Sequence, residues 1–332
     1  KGTAAIPERV AGELYTGRLR VSLQTMFPKC ALVAGALALR FLRPRKLKSL
    51  EGRVVLITGA SRGIGERLAL EFAAKKCKLC LAARSLTALE EVAKKCTDAG
   101  ALAVLPIQCD MSEPTQMKAM VEKCEAELGK VEVLINNAGV ETVNHFENES
   151  AESLSMLSDI NVKAPMILTN MVIKPMMEAK AGVICNIASV VAMLPTPAMS
   201  PYCASKAALL AFSLGLREEM KSHGVKVFAV CPGLVTEAGM ADDIGLNAAG
   251  ALAAPMTTKM SSLCKQVVRH TQLNAPNPYV VPIPMPTYPV IALSMLFPSI
   301  VVSSMWKASP LKPYVLKVAN ERAGNGNAPA TA

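Results

Sequence analysis

The sequence predicts an α/β fold of the doubly wound type, in which a seven-stranded parallel sheet carries helices on both faces. From Arg53 onward, short apolar runs alternate with longer helical stretches. This alternation is typical of strand–helix–strand units whose neighbouring strands run parallel. Gly100, Gly129, Gly182 and Gly224 stand where helical stretches end, and a helix often ends on a left-handed glycine.

The predicted elements follow one another through a domain that spans residues 50–284. Strands are predicted at 53–58, 78–83, 103–108, 131–136, 182–187, 226–230 and 279–283. Helices are predicted at 64–75, 86–99, 113–128, 154–178, 201–222 and 259–271. The apolar runs are the strands because they are short and bounded by polar or turn residues.

Positive charge is concentrated near the start of the chain. The protein has 332 residues, a hydrophobic share of 51% and a formal net charge of +10. The first 50 residues hold ten Lys or Arg and only two acids, Glu8 and Glu13. A nucleic-acid-binding protein usually spreads its basic residues over the folded domain, so no nucleic-acid partner is predicted. A basic leader at 1–49 favours a membrane surface, that of the endoplasmic reticulum or of a mitochondrion or plastid.

Apolar segments flank the predicted domain on both sides. Residues 30–39 are uncharged, but a bilayer span takes about 20 residues, and the longer stretch 21–42 contains Lys29. This segment is an interfacial anchor helix, the end of a transit segment, or a helix packed on the domain. The extension 285–318 is expected to pack on the sheet or to contact a membrane or a partner. The small, polar tail 319–332 is predicted to be disordered.

The ten cysteines occur in apolar contexts without the spacing of a disulfide framework. Cys77 and Cys80 form a C-x-x-C pair, but they lie at a predicted buried strand. We therefore expect the cysteines to be small buried apolar side chains in a reduced protein. The three histidines are far apart, so no metal site is predicted.

The stretch from Ser189 to Lys206 combines a hydroxyl, a phenol and an ammonium. If Ser200 and Pro201 open a helix, Tyr202 and Lys206 lie one turn apart on the same face. A positive charge at about 4 Å, at an effective dielectric of about 20, would lower the pKa of the phenol by about 3 units. Such a phenol could act as a general acid or base. The alternative is a chance Tyr-x-x-x-Lys at the start of an ordinary helix.

A glycine-rich loop joins the first predicted strand to the first predicted helix. The segment 58–65 reads Thr-Gly-Ala-Ser-Arg-Gly-Ile-Gly. Glycines permit a tight turn and close approach of the backbone, and a helix N-terminus favours a phosphate. A strand, a glycine loop and a helix in this order predict a dinucleotide site.

With these motifs, the chain resembles the short-chain dehydrogenase/reductase family over about residues 50–283. Further motifs in the expected order support the resemblance: Cys109-Asp110-Met111, Asn136-Asn137-Ala138-Gly139, Asn161, Ser189, Tyr202-x-x-x-Lys206 and Cys231-Pro232-Gly233. The resemblance implies a Rossmann fold and an oxidoreductase that acts on CH–OH and C=O groups with a nicotinamide cofactor.

The resemblance implies a catalytic role for four residues. Tyr202 would donate a proton to a carbonyl oxygen while hydride arrives from the nicotinamide, and Ser189 would hydrogen-bond that oxygen. Lys206 would lower the pKa of the phenol and hold the nicotinamide ribose. Asn161 would position a water that joins the proton path to bulk solvent.

Charge at the end of the second predicted strand indicates which cofactor binds. An NAD enzyme places an acid there, whereas this chain has Ala83 followed by Arg84, and Arg62 lies in the glycine loop. Two arginines suit a 2′-phosphate, so NADP(H) is predicted. Asp110 and the backbone of Met111 are expected at the adenine. The residues predicted to bind NADP(H) are Gly59, Ser61, Arg62, Gly63, Ile64, Gly65, Arg84, Asp110, Met111, Asn137, Ala138, Gly139, Tyr202, Lys206, Pro232, Gly233, Val235 and Thr236.

The segment after Pro232-Gly233 departs from the family pattern. Thr236 stands one place before the usual threonine, and Glu237 occupies that place. Either the loop shifts register, or Thr236 reaches the nicotinamide amide through a different rotamer.

The substrate loop is expected at about 237–260. Its methionines suit an adaptable apolar pocket. With the apolar segments on both sides of the domain, the chain resembles membrane-associated members of the family that reduce lipid-like ketones of steroid or 3-ketoacyl type, and a retinoid-type aldehyde fits equally well. The resemblance further implies a homodimer through 154–178 and 201–222. The alternative function is an accessory or structural subunit of a membrane complex that keeps the fold and bound NADP.

Overall fold

A computed structural model describes residues 49–235, 257–275, 280–283, 293, 296–309 and 312–325 of the chain. All of these residues belong to one compact unit, Leu47–Ala332. The predicted leader, Thr236 and nearly all of the predicted substrate loop lie outside the described residues.

The strands of the described part form one large parallel sheet and one small pair. They are β1 (Val54–Thr58), β2 (Lys78–Ala83), β3 (Ala103–Gln108), β4 (Val133–Asn136), β5 (Gly182–Ile187), β6 (Val225–Pro232), β7 (Leu234–Val235), β8 (Thr257–Thr258) and β9 (Val280–Ile283). The large sheet has the order β3-β2-β1-β4-β5-β6-β9, and β7 pairs with β8. The chain reverses its winding direction between β1 and β4, so the predicted doubly wound fold is confirmed.

Helices cover both faces of the sheet. They are α1 (Gly63–Ala73), α2 (Leu86–Asp98), α3 (Pro114–Leu128), α4 (Ala151–Ser158), α5 (Ala164–Glu178), α6 (Ser200–Met220), α7 (Met260–Thr271), α8 (Pro298–Ala308) and α9 (Lys312–Asn325). In β1, Leu56 belongs to one core cluster with residues of α3 and α5, and Ile57 belongs to a second cluster with residues of α1 and α7. Because successive side chains of a strand point to opposite faces, both faces are buried.

The predicted boundaries of most elements agree with the structure within two residues, whereas the helix predicted at 154–178 begins earlier, at Ala151, and contains a π-helical turn. A π-helical turn, Asp159–Lys163, separates α4 from α5. Within this turn, the Asn161 side chain accepts a hydrogen bond from the Val140 N–H at 2.9 Å and donates one to its carbonyl at 2.7 Å. The extra residue in the turn aims Asn161 at the loop after β4, and such turns are frequent at functional sites.

The C-terminal extension packs partly on the domain. Val315 and Ala319 of α9 are buried in the same core cluster as Leu56, and Val318 packs against it. The prediction of disorder from Ala319 onward is therefore wrong for residues 319–325, because these apolar positions of α9 find a partner surface in the core. Among the described residues, no helix has both the length and the apolar character needed to cross a bilayer.

The cysteines that the structure describes are buried free thiols, as predicted: Cys77, Cys80, Cys96, Cys109, Cys124, Cys185, Cys203, Cys231 and Cys264. Burial raises the pKa of Cys77 to about 12, so this thiol of the C-x-x-C pair stays protonated near neutral pH. A protonated, buried thiol is a poor nucleophile and metal ligand.

Candidate active site

The predicted site residues follow the carboxyl ends of the strands. In a parallel sheet these ends share one edge, and the point where the winding reverses opens a crevice there. The glycine loop follows β1, Asn137 follows β4, Ser189 comes two residues after β5, and Pro232 ends β6. The order β1-β4-β5-β6 within the sheet therefore brings these segments together.

The glycine loop is so tightly packed that two of its positions exclude any side chain. Gly59 has a φ of +63°, and a Cβ there would lie 2.8 Å from the Ala138 Cα. A Cβ on Gly65 would lie 2.1 Å from the Gly59 carbonyl oxygen. The Arg62 side chain makes no capping hydrogen bond at the start of α1. A close-packed glycine turn before a helix N-terminus fits the pyrophosphate of a dinucleotide.

Thr58 joins the glycine loop to the loop after β4. Its Oγ1 accepts hydrogen bonds from the N–H groups of Asn137 and Ala138, each at 3.0 Å. The Asn137 side chain donates in return to the carbonyls of Thr58 and Gly59, at 3.0 and 3.1 Å. No separate role is predicted for Thr58 from the sequence, although a hydroxyl at the end of a buried strand indicates a hydrogen-bonding function. These bonds hold the two loops in fixed register.

The two arginines predicted to select NADP lie at adjacent strand ends. The Ala60 N–H donates to the Ala82 carbonyl at 3.1 Å, which ties the glycine loop to the end of β2. Arg62 comes two residues after Ala60, and Arg84 comes two residues after Ala82. Both arginines are exposed. Ala83, which is predicted to stand where an NAD enzyme has an acid, is the last residue of β2. The local arrangement thus combines two guanidinium groups with a neutral strand end.

Asp110 and Met111 lie in the turn between β3 and α3. The Asp110 carboxylate accepts hydrogen bonds from the Ser112 N–H and hydroxyl through one oxygen, at 2.9 and 2.8 Å. The Met111 side chain is buried in the core. The turn is therefore rigid, and contact of these residues with an adenine stays a prediction.

Asn161 connects the loop after β4 to α6. Besides its two bonds to Val140, its side-chain amide donates to the Ser205 hydroxyl at 3.0 Å. A Cβ on Gly139 would lie 3.2 Å from both the Asn161 Oδ1 and the Lys206 Nζ. Because the amide is occupied by protein groups, it acts as a brace for the site, and its predicted contact with a water stays untested.

Tyr202, Lys206 and Ser189 come together as predicted. Tyr202 and Lys206 are buried on one face of α6, and the phenol is hydrogen-bonded to Ser189. The Lys206 Nζ donates to the Ile187 carbonyl at 3.0 Å and lies 5.7 Å from the centre of the Tyr202 ring. The C-terminal end of β5 thus binds the ammonium through the Ile187 carbonyl and leads directly into Ser189.

The expectation that Lys206 lowers the pKa of Tyr202 is wrong for this structure. Burial raises the pKa of Tyr202, the charge of Glu141 raises it further, and the hydrogen bond with Ser189 opposes them. Burial also lowers the pKa of Lys206 to about 8. The ammonium lies toward Ile187, so desolvation outweighs the attraction assumed for a pair at about 4 Å.

Glu141 is a residue of the site that the sequence analysis missed. It lies two residues after Gly139, and its side chain is only 5% exposed. Its negative charge raises the pKa of both Lys206 and Tyr202. An acid among the apolar residues of the loop after β4 could have indicated a functional residue. The burial of Glu141, however, depends on contacts that the local sequence does not show.

Comparison with known proteins gives the same family. The sequence model of the short chain dehydrogenase family matches residues 53–248. The chain therefore belongs to the short-chain dehydrogenase/reductase family, as the motifs predicted. It is an oxidoreductase that acts on CH–OH or C=O groups, and proteins of this family bind NAD or NADP.

Individual relatives cover most of the domain. Ketoacyl reductase HetN of Nostoc sp. is 35% identical over 202 residues, which are 61% of this chain and 70% of that protein. 11-beta-hydroxysteroid dehydrogenase 1A of Arabidopsis thaliana is 37% identical over 189 residues, 57% of this chain and 54% of that protein. A metagenomic short-chain oxidoreductase solved in complex with NADP aligns with a TM-score of 0.61 and 27% identity, covering 71% of this chain and 98% of that one.

Proposed function

We propose that the protein is an NADPH-dependent reductase of an apolar, lipid-like ketone or aldehyde, with Tyr202 as the general acid. The observation that carries this proposal is the buried phenol of Tyr202, hydrogen-bonded to Ser189 beside the Lys206 ammonium. The raised pKa keeps the phenol protonated near neutral pH but also makes it a weaker acid, so the proposed role requires this pKa to fall when NADPH and the substrate are bound.

Each residue of the site has one task in this proposal. Tyr202 holds the proton at its Oη, and Ser189 orients the phenol and offers a hydrogen bond to the substrate oxygen. Lys206 supplies positive charge and a donor for a ribose. Asn161 braces the loop after β4 against α6. When bound, the nicotinamide supplies the hydride.

Several features support NADP and an apolar substrate. Arg62 and Arg84 suit a 2′-phosphate, and Ala83 leaves out the acid that would oppose it. One structural relative was solved with NADP, and others are named as ketoacyl and hydroxysteroid enzymes. Ala192 and Met193, just after Ser189, pack against a small apolar cluster.

The experiment is to follow oxidation of NADPH, and separately of NADH, by the full chain with a long-chain 3-ketoacyl ester, a steroid ketone and retinal. We expect NADPH to be the better donor for at least one of these substrates. Tyr202→Phe should lower that rate about 10²- to 10⁴-fold, because it removes the proton donor, while NADPH binding measured by fluorescence is retained.

Wild-type protein that binds NADPH but reduces none of the substrates would contradict the proposal. Co-purification of such protein in fixed stoichiometry with a membrane complex would favour the accessory-subunit alternative. A Tyr202→Phe variant that keeps the wild-type rate would rule out the role given to Tyr202.

A further inference from the structure

The C-terminal extension exposes a compact set of large apolar side chains. Leu293, Leu296, Phe297 and Ile300 are 50%, 73%, 52% and 67% exposed, and we call them the apolar stripe. Among the described residues, the other exposed large apolar side chains are Leu86, Leu102 and Phe146, which lie far apart in sequence. Single exposed apolar residues are ordinary, whereas four within eight positions indicate an interaction surface.

Two backbone hydrogen bonds connect described residues of the stripe and of the start of α8. The Phe297 N–H donates to the Leu293 carbonyl at 2.9 Å, and the Val301 N–H donates to the Phe297 carbonyl at 3.0 Å. The spacing of the four side chains, three, one and three residues apart, is typical of a helical face, although in the structure α8 begins only at Pro298 and Phe297 precedes it with a φ of −135° and a ψ of 62°. These bonds keep Leu293, Phe297 and Ile300 within a short stretch of the chain surface.

The segment that carries the stripe is attached to the domain on another side. Val301 is buried, and Trp306 packs against the core cluster that includes Val315 and Ala319. In addition, the His145 Nε2 and the Asn320 Oδ1 lie 3.1 Å apart, which joins α9 to the loop after β4. The apolar stripe is thus not simply the core-facing side of a helix that has come away from the domain.

Charge around the stripe indicates what kind of surface it meets. No Asp or Glu occurs between Asp243 and Glu321. The basic residues of that interval are Lys259, Lys265, Arg269, Lys307, Lys312 and Lys317. Lys307 is exposed and follows Ile300 by seven residues, which places it about two helical turns beyond the end of the stripe. Apolar side chains bordered by lysine, without acids, complement a layer of anionic lipid headgroups.

We propose that the apolar stripe docks the domain on the surface of a membrane that contains anionic lipid. The apolar side chains enter the boundary between headgroups and acyl chains, and Lys307 contacts the headgroups. A second copy of the chain fits this surface less well, because pairing two such segments brings together two sets of lysines with no acid between 244 and 320. The proposal concerns binding alone and stands apart from the proposed reaction.

The test compares two matched double variants of the full chain. Leu296→Ser/Phe297→Ser removes a leucine and a phenylalanine from the stripe, and Leu102→Ser/Phe146→Ser removes the same pair of residue types elsewhere, where they are 55% and 65% exposed. Binding is measured by co-sedimentation with vesicles of phosphatidylcholine alone and of phosphatidylcholine mixed with phosphatidylserine. We expect the stripe variant to lower the partition onto mixed vesicles by about tenfold or more, and the control to leave it unchanged.

A charge variant separates the two contributions. Lys307→Glu should weaken binding to the mixed vesicles and leave binding to phosphatidylcholine alone nearly unchanged. The leader is present in every variant, so any contribution from it is common to all of them. Leu296→Ser alone, checked by circular dichroism, gives the same test if the double variant does not fold.

Three results would overturn the proposal. The first is equal partition of the stripe variant and its control. The second is a wild-type chain that does not bind the mixed vesicles. The third is a change of oligomeric state by light scattering in the stripe variant with unchanged vesicle binding, which would assign the stripe to a second copy of the chain.

Discussion

At the scale of single residues, burial controls the chemistry of the candidate site. Tyr202 and Lys206 are both desolvated, so each disfavours its charged form. Glu141 acts on both, because a buried negative charge favours an ammonium and disfavours a phenolate. The result is a phenol that keeps its proton and a lysine whose pKa of about 8 lies close to the working pH. Both groups are therefore mainly protonated below about pH 8, while the raised pKa makes the phenol a weaker acid.

The first prediction concerns Glu141→Gln. Removing the carboxylate should lower the pKa of Lys206 below about 8 and also lower that of Tyr202. Because reduction needs both groups protonated, the alkaline limb of kcat/KM against pH should move to lower pH. Cys203 also raises the pKa of Tyr202, and Cys231 raises that of Lys206; both thiols remain in the variant.

The matched control is Glu147→Gln, which changes an exposed acid in the same connection between β4 and α4. Its profile should coincide with that of the wild type. An unchanged profile for Glu141→Gln, or a move to higher pH, would contradict the electrostatic role of Glu141.

At the scale of elements, the site depends on connections whose backbone tolerates few substitutions. The turn from β1 into α1 places Gly65 against the carbonyl of Gly59, and Thr58 fastens the same turn to the loop after β4. The π-helical turn at Asn161 makes a similar connection from the other side of that loop. These contacts position the groups that would bind a dinucleotide.

The second prediction compares two glycines that both lie within helices. Gly65→Ala would place a Cβ 2.1 Å from the Gly59 carbonyl oxygen, so the turn must move, at a cost of about 1–3 kcal/mol in the free energy of unfolding. NADPH binding should also weaken, because the displaced backbone belongs to the glycine loop that is predicted to hold the pyrophosphate. Fluorescence titration and urea unfolding measure the two effects.

Gly215→Ala is the control, since no atom lies within 4 Å of its added Cβ in α6. It should leave NADPH binding unchanged and raise the free energy of unfolding by about 0.5–1 kcal/mol. Equal behaviour of the two variants would show that close packing at Gly65 does not matter for the cofactor site.

At the scale of the whole molecule, the C-terminal helix α9 is part of the domain and not an appendage. Val315 and Ala319 are buried in the cluster that also contains residues of β4, α5 and α6. The extension thus contributes to the core through α9 while it exposes the apolar stripe. The same segment can stabilise the fold and present a binding surface.

The third prediction tests this arrangement with Val315→Asp. A buried carboxylate with no cation or hydrogen-bond donor provided for it should lower the free energy of unfolding by about 2–4 kcal/mol. It should also lower the midpoint temperature of the main thermal transition. Pro313→Asp, at an exposed position in the first turn of α9, is the control and should have little effect. If calorimetry shows the same main transition for both variants, α9 does not belong to the cooperative core.

The sequence alone was sufficient for the sheet and for the order of the site residues. Strands at 78–83 and 182–187 agree with the structure residue for residue, because strands buried on both faces are continuous apolar runs with sharp ends. The strand at 103–108 agrees equally well, although it is a half-buried strand at the edge of the sheet. Once the strands are parallel, their carboxyl ends must meet, so motifs far apart in the chain could be assigned to one site. Ser189, Tyr202 and Lys206 were identified from their spacing and from the resemblance to the family.

Only the tertiary structure decided what depends on contacts between distant segments. The π-helical turn at Asn161 forms around a bond to Val140, and α9 is held by a core surface that no local pattern in the tail indicates. Burial of the phenol, and after it the charge of the buried Glu141, raise the pKa of Tyr202. Residue types and spacing identify Tyr202 as the candidate acid. Desolvation and nearby charges determine its pKa, and both arise only after the chain has folded.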